Sequence, residues 1–319
     1  MIRILVPLDG SSAAETAIPH AAAIARAFSA EVELLGVVDQ SAGSFAAPVN
    51  SLDWQLSKLQ TEVYLSRTAE TLQNQGVRAI WELREGDPAQ AIIQFTRNAD
   101  IDILVMTRYG NGNARQFRMG GTVQKVVSAA VSSVMLIDPA LDFDEAHGYA
   151  RVIVMVDGTQ CSEWASAFAA MVAQAFDGSL RVLRIVEEPS LPGGMPITME
   201  TRRFLEHIKR SAKSQASLQV RNVVATIPPN VDTSSSVVVT DNIPSAIERA
   251  AAETRADLIV VAAQDTQTDQ PVGYGPVCDT LLMQARRPLL ILRSEAAVLS
   301  SNHFRSVYLE EAEAHADAV

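Results

Sequence analysis

Short apolar runs rich in valine, isoleucine and leucine recur along the chain, separated by longer stretches in which apolar residues return every third or fourth position. Runs of the first kind read as strands buried on both faces, and the second kind as helices with one apolar face. In the first half this predicts strands over 2–8, 31–38, 79–83, 103–107 and 134–137, with helices over 13–28, 51–74, 88–97 and 120–130. In the second half the same reading predicts strands over 152–156, 180–186, 236–240, 258–262 and 289–292. Pro88, directly after Gly86 and Asp87, suits the first position of a helix. Strands alternating with helices give a parallel sheet joined by right-handed crossovers, with any ligand at the carboxyl edge where the strand order reverses. The expected fold class is therefore α/β, doubly wound and Rossmann-like.

The chain is written twice. Ile4 to Ser11 reads Ile-Leu-Val-Pro-Leu-Asp-Gly-Ser, and 152–159 reads Val-Ile-Val-Met-Val-Asp-Gly-Thr. At an offset of 148, Asp9, Gly10, Glu15 and Ala17 fall on Asp157, Gly158, Glu163 and Ala165. At an offset of 155, Ile92, Asp102, Ile103, Val105, Gly120 and Ile137 fall on Ile247, Asp257, Leu258, Val260, Gly275 and Leu292. Polar landmarks that keep their order and spacing argue for a tandem repeat, and the change of offset for loops of unequal length. The expected domains are 1–140 and 150–294, joined by a polar linker over 139–150, each a five-stranded parallel sheet and the two related by an approximate two-fold axis. A second loose stretch spans 187–198, and 295–319 reads as an acidic C-terminal tail, a frayed helix or mobile segment.

A length of 319 residues with 48% hydrophobic composition suits two domains. The net charge of −11 argues against a nucleic-acid partner, which asks for a basic face. Pro7 and Asp9 break the opening apolar run too early for a signal peptide or membrane span, so a cytoplasmic protein with no membrane association is expected. Cys161 and Cys278 read as core fillers, Trp54, Trp81 and Trp164 as core or interface aromatics, and the five histidines have no metal-ligand spacing.

Candidate chemistry lies in 105–125, where a strand runs into a loop with Gly110 and a glycine pair, Gly120-Gly121, opens a helix. Backbone N–H groups at a bare helix start form a ready anion site, and Arg108, Arg115 and Arg118 add positive charge, a combination suited to a polyphosphate. Each feature also has a plain reading. Asp9 and Asp157 serve equally as helix caps, and Asn111-Gly112 is a turn signal in its own right.

The opening Val-Pro-Leu-Asp-Gly-Ser, the phrase Gly36-Val-Val-Asp39, and Gly110 followed after nine residues by Gly120 together resemble the universal stress protein family, here as a tandem two-domain member. The resemblance implies the strand order 3-2-1-4-5 in each of two sheets. It also implies, for many members, ATP held by a loop of the form Gly, two residues, Gly, nine residues, Gly, then Ser or Thr. It places Asp9 and Val37 beside the adenosine, with Pro7 in the same site, Met106 and Thr107 at the approach to strand four, and Gly110, Gly120 and Gly121 around the phosphates. Thr107 stands in place of the first loop glycine and Gly121 in place of the Ser or Thr, with Thr122 able to offer a hydroxyl if the turn shifts by one. In the second half Asp265 replaces Gly110 and Pro276 replaces Gly121, and Asp265 and Asp269 would repel phosphate, so this half is expected to be structural or dimerising.

The implied ligand is ATP or another adenine nucleotide, with or without Mg2+, bound by the first domain alone in a stress-related signalling or regulatory protein. No general base, Gly-x-Ser-x-Gly elbow or Lys-Ser/Thr pair is found, which leaves at most slow ATP hydrolysis. The alternative is a nucleotide-free interaction or dimerisation module whose halves pack face to face as an intramolecular pseudo-dimer. A further homodimer and the protein partner are left open.

Overall fold

The computed structural model describes residues 1–39, 51–110, 119–188, 198–263 and 274–293, apart from the side chains of 51 and 53. Arg115, Arg118, the Asn111-Gly112 turn, Asp265, Asp269 and the acidic tail lie outside the described residues. The described chain divides into two compact units, Met1–Gly148 with residues 263 and 274–293, and Tyr149–Ala262.

The first unit contains β1 (Arg3–Leu8), α1 (Ser12–Glu15), α2 (Ala17–Phe28), β2 (Glu31–Val38), α3 (Ser51–Asn74), β3 (Arg78–Glu85), α4 (Pro88–Asn98), β4 (Ile103–Thr107), α5 (Gly121–Ala129) and β5 (Ser133–Ile137). Its strands lie in the order β3-β2-β1-β4-β5, all parallel. The second unit contains β6 (Arg151–Val156), α6 (Gln160–Ala175), β7 (Ser179–Glu187), α7 (Met199–Ala225), β8 (Asp232–Thr240), α8 (Ile243–Glu253) and β9 (Leu258–Ala262). There β8-β7-β6-β9 repeats the order 3-2-1-4, again parallel. Chain order then gives α9 (Pro276–Gln284) and β10 (Leu289–Leu292).

The first repeat's sheet does not stop at β5, which corrects the expectation of two self-contained five-stranded sheets. β10 pairs with β5 in antiparallel register, Leu289 opposite Leu136, Leu290 opposite Met135 and Ile291 opposite Val134. All five residues of β5 and all four of β10 are buried. An open β5 would expose an apolar edge with unpaired backbone groups, and β10 closes it.

Three local departures from the sequence reading have simple causes. The helix expected over 13–28 is broken at Thr16, because Pro19 lacks an N–H and its ring excludes the carbonyl of residue 15. Strand β8 begins at Asp232, four residues earlier than its apolar run, since a strand paired only to β7 within its unit tolerates a polar first half. The linker is anchored by its aromatics: the Phe143 ring lies 4.0 Å from that of His20 on α2, and Tyr149 is fully buried with its ring edge-on to Phe176.

One repeated landmark has a structural task in both units. The Arg3 N–H donates to Asp102 Oδ2 at 2.8 Å, and the Arg151 N–H to Asp257 Oδ2 at 2.9 Å. Each aspartate thus ties the start of the repeat's first strand to the start of its fourth. The cysteines Cys161 and Cys278 are both buried, as small core residues.

His20 is 2% exposed, and burial lowers its pKa from the usual 6.5 to about 4. Because the folded pKa lies below the unfolded one, the unfolded chain takes up a proton that the folded chain refuses between those values. The contribution is complete above about pH 6.5 and is lost as pH falls toward 4, on the order of 3 kcal/mol in all. Urea unfolding at pH 7 and pH 4.5 should show a smaller loss of stability on acidification for His20→Gln than for the parent. Equal losses would remove His20 from the acid response.

Candidate functional site

The site begins with the end of β1. Asp9 follows the strand and Gly10 turns the chain at φ +75°, in the left-handed region where glycine is favoured. Asp9 Oδ1 then accepts the Ser11 N–H at 2.9 Å and the Ser11 hydroxyl, while Ser11 Oγ accepts the Ala14 N–H at 3.1 Å and caps α1. The cap is therefore Ser11, and Asp9 holds it in place. The second repeat builds the same turn: Asp157 Oδ1 accepts the Thr159 N–H at 2.9 Å, and Thr159 caps α6 through Ser162 at 3.3 Å. Burial alone would raise the pKa of Asp157, but the Thr159 and Ser162 hydrogen bonds bring it below the usual value.

In the first repeat the loop after β4 approaches this turn closely. A Cβ on Gly110 would run into Asp9 Oδ2, so only glycine lets the loop backbone close over the carboxylate. Thr107 is buried and its hydroxyl donates to the Tyr109 carbonyl at 3.0 Å, so its side chain shapes the loop. The Tyr109 hydroxyl donates to Asp138 Oδ1 at 3.3 Å; burial and that carboxylate raise its pKa, keeping it a neutral donor.

These elements enclose a cavity of about 550 Å³. All nine residues singled out from the sequence, Pro7, Asp9, Val37, Met106, Thr107, Gly110, Gly120, Gly121 and Thr122, line it. The sequence reading missed the rest of the wall, including Leu35, Pro88, Ile92, Tyr109, Met119 and Val123. Two of these were available from periodicity: Leu35 shares a strand face with Val37, and Ile92 lies one turn beyond Pro88. No tryptophan lines the cavity.

The cavity wall carries groups of opposite charge. One is the Asp9 carboxylate. The other is the start of α5, which has Gly120 as its cap and no side-chain partner. The Gly120 N–H is taken by the Arg108 carbonyl at 2.8 Å, whereas the next three N–H groups have no acceptor within the helix and form its positive end. A Cβ on Gly120 would meet its nearest atom at 3.6 Å, ordinary contact, and one on Gly121 would meet nothing within 4 Å.

Arg108 does not add charge to this end, contrary to expectation. Its side chain is buried, and Nη1 donates to the Leu282 carbonyl on α9. The preceding strand residues carry the chain past the cavity wall, so a side chain at 108 points into the protein.

The corresponding helix start in the second repeat is altered. Gly275 has φ +90° and Pro276 occupies the first position of α9 without an N–H to offer. Asp279 in the first turn accepts the Tyr274 N–H at 3.2 Å, which brings a carboxylate to the helix end where an anion would sit. Among the described residues no group of three or more His, Cys, Asp or Glu is placed to hold a metal, and no helix is long and apolar enough to cross a membrane.

The sequence profile of the universal stress protein family matches residues 1–138 and again 148–293. Universal stress protein MJ0531 of Methanocaldococcus jannaschii is 30% identical over 137 residues, covering 42% of this chain and 81% of that protein. Universal stress protein MJ0577 of the same organism is 23% identical over 151 residues, covering 42% and 93%. A solved universal stress protein from Archaeoglobus fulgidus superposes with a TM-score of 0.61 over 91% of this chain and 98% of that one, at 16% identity, a likeness of fold. With both repeats matched and the fold shared, the chain belongs to the universal stress protein family as a tandem two-domain member.

Proposed function

We propose that the first repeat binds one adenine nucleotide, ATP being the form that a cavity lined by both a carboxylate and a bare helix start suits, and that the protein acts as a nucleotide-responsive regulator in the stress response. The observation that carries this reading is the convergence, in one cavity of about 550 Å³, of an apolar slot, a carboxylate and an uncapped helix start. Val37, Leu35, Ile92 and Met106 give the flat apolar surfaces a purine ring needs. The carboxylate of Asp9 accepts hydrogen bonds from the adenosine, and the N–H groups of Gly121 to Val123 receive the phosphates. A Mg2+ ion would travel with the phosphates, since such ions are commonly held by one or two protein ligands and the nucleotide itself. The second repeat takes no nucleotide in this reading, because Pro276 removes a donor and Asp279 adds like charge.

A second reading, a nucleotide-free interaction module, is favoured by one observation. Among the described residues the phosphate end offers backbone donors, with Arg108 turned inward and glycine at position 121.

Calorimetric titration with ATP, ADP and AMP separates the two. The expected stoichiometry is no more than one nucleotide per chain, and two equivalent sites would refute the asymmetric reading. No binding of any of the three would favour the interaction module.

Two substitutions test the placement of the phosphates. Gly120→Asp has room for its Cβ, so in a variant that folds as the parent does a fall in ATP affinity of more than tenfold, about 1.4 kcal/mol, would report charge repulsion. Gly121→Ser enters open space at the helix start and should tighten binding by adding a hydroxyl donor. If ATP binds the parent and folded Gly120→Asp equally well, the phosphates lie elsewhere.

A further inference from the structure

Arg108 sits directly behind the cavity wall and joins four elements. Its N–H donates to the Ile137 carbonyl at the end of β5, and its carbonyl accepts the Gly120 N–H at the start of α5, both at 2.8 Å. Its side chain is 8% exposed, and the guanidinium donates to the Leu282 carbonyl in the last turn of α9. Carbonyls of a last helical turn lack partners within the helix and form its negative end, where a cation is favoured. The same turn is closed by the Ala285 N–H on the Leu281 carbonyl at 2.7 Å, and four residues later the chain enters β10, which pairs with β5. A helix and a strand from the second repeat therefore hold the base of the first repeat's loop.

The repeat supplies its own control. The counterpart of Arg108 is Ala263, whose N–H donates to the Leu292 carbonyl at 2.8 Å, the same backbone link as Arg108 to Ile137. There the side chain ends at a methyl group. The backbone latch is common to both repeats, and the guanidinium tie belongs to the first, the one whose cavity keeps its glycines.

We propose that Arg108 is a positioning residue through which the second repeat braces the cavity of the first, so that occupancy of the cavity and order at the end of α9 rise together. The ligand in this proposal rests on the nucleotide-binding reading above; the tie between loop and helix does not. Coupling of this kind is reciprocal: whatever steadies the end of α9 tightens nucleotide binding by the same factor that the nucleotide steadies α9.

The test uses the full chain and compares the parent with Arg108→Met and Arg108→Lys by amide hydrogen exchange, with and without ATP, and by ATP titration. Without ATP, Arg108→Met should speed exchange of the Gly120 and Ala285 amides together by about tenfold, leaving amides of β1 unchanged. Arg108→Lys, whose ammonium can still reach the carbonyl, should restore most of the protection. ATP should protect both amides in the parent, bind Arg108→Met about tenfold more weakly, and leave Ala285 unprotected in that variant. Should Arg108→Met fail to fold, Arg108→Gln removes the charge while keeping a donor. Unchanged exchange at Ala285 in a folded variant, or no recovery with Arg108→Lys, overturns the proposal. If the parent binds no ATP, the nucleotide reading falls by itself, and exchange of Gly120 and Ala285 without ligand still decides whether the tie exists.

Discussion

An apolar strand without a polar face has to be paired along both edges, and β5 is such a strand. β4 pairs it on one side and β10 on the other, and every residue of β5 is buried. The rest of the site hangs from that fixed line. The Ile137 carbonyl at its end receives the Arg108 N–H, the Arg108 carbonyl receives the Gly120 N–H, and Gly120 sets the start of α5. A displacement of β5 would therefore move the start of α5 relative to Asp9, which is fixed independently by β1. The Asp9 carboxylate and the start of α5 are thus set by two strands with β4 between them.

The features the repeats share are mostly structural, and the features that differ gather around the cavity of the first repeat. Asp9 and Asp157 make the same turn, and Asp102 and Asp257 make the same tie, so their duplication reflects the demands of the fold. The differences lie in the wall of the first repeat's cavity, as at Gly121, or behind it, as at Gly36 and Arg108. Strand register sets Gly36 beside Leu8 in the first repeat and Arg184 beside Val156 in the second. Arg184 donates to the Ile185 carbonyl at 3.0 Å, whereas at Gly36 the side chains of Leu65 and Thr61 pack where a Cβ would be. Likewise Gly121 becomes Pro276, and Arg108 becomes Ala263.

Much of the fold was legible in the sequence because buried parallel strands announce themselves as dense apolar runs; β2, β4, β9, β10 and α3 have the bounds expected. The polar half of β8 was not legible, since its residues carry no apolar signal and are strand only by pairing with β7. Nor was the β5–β10 pairing, because no local pattern reveals which strand will cover an apolar edge. At the site, glycines and the aspartate stood out as turn chemistry, while Tyr109 and Met119 belong to the cavity only through the path of the loop. The direction of Arg108 was misread for a general reason: a charge near a candidate anion site invites pairing with the anion, yet the side chain's direction is set by the strand it leaves.

Helix α9 is used by its far end, and that changes which sequence alterations the second repeat can absorb. Its start has given up the amide that an anion would need, with Pro276 in the first position, yet its last turn presents the Leu282 carbonyl to Arg108. Each residue of an α-helix advances the chain by about 1.5 Å and turns it by about 100°. One residue gained or lost between Pro276 and Leu282 would swing that carbonyl off the guanidinium, even though every side chain there could be replaced by another of similar size. Along α9 the number of residues between Pro276 and Leu282 is thus constrained as well as their size, and it is the number that aims the carbonyl.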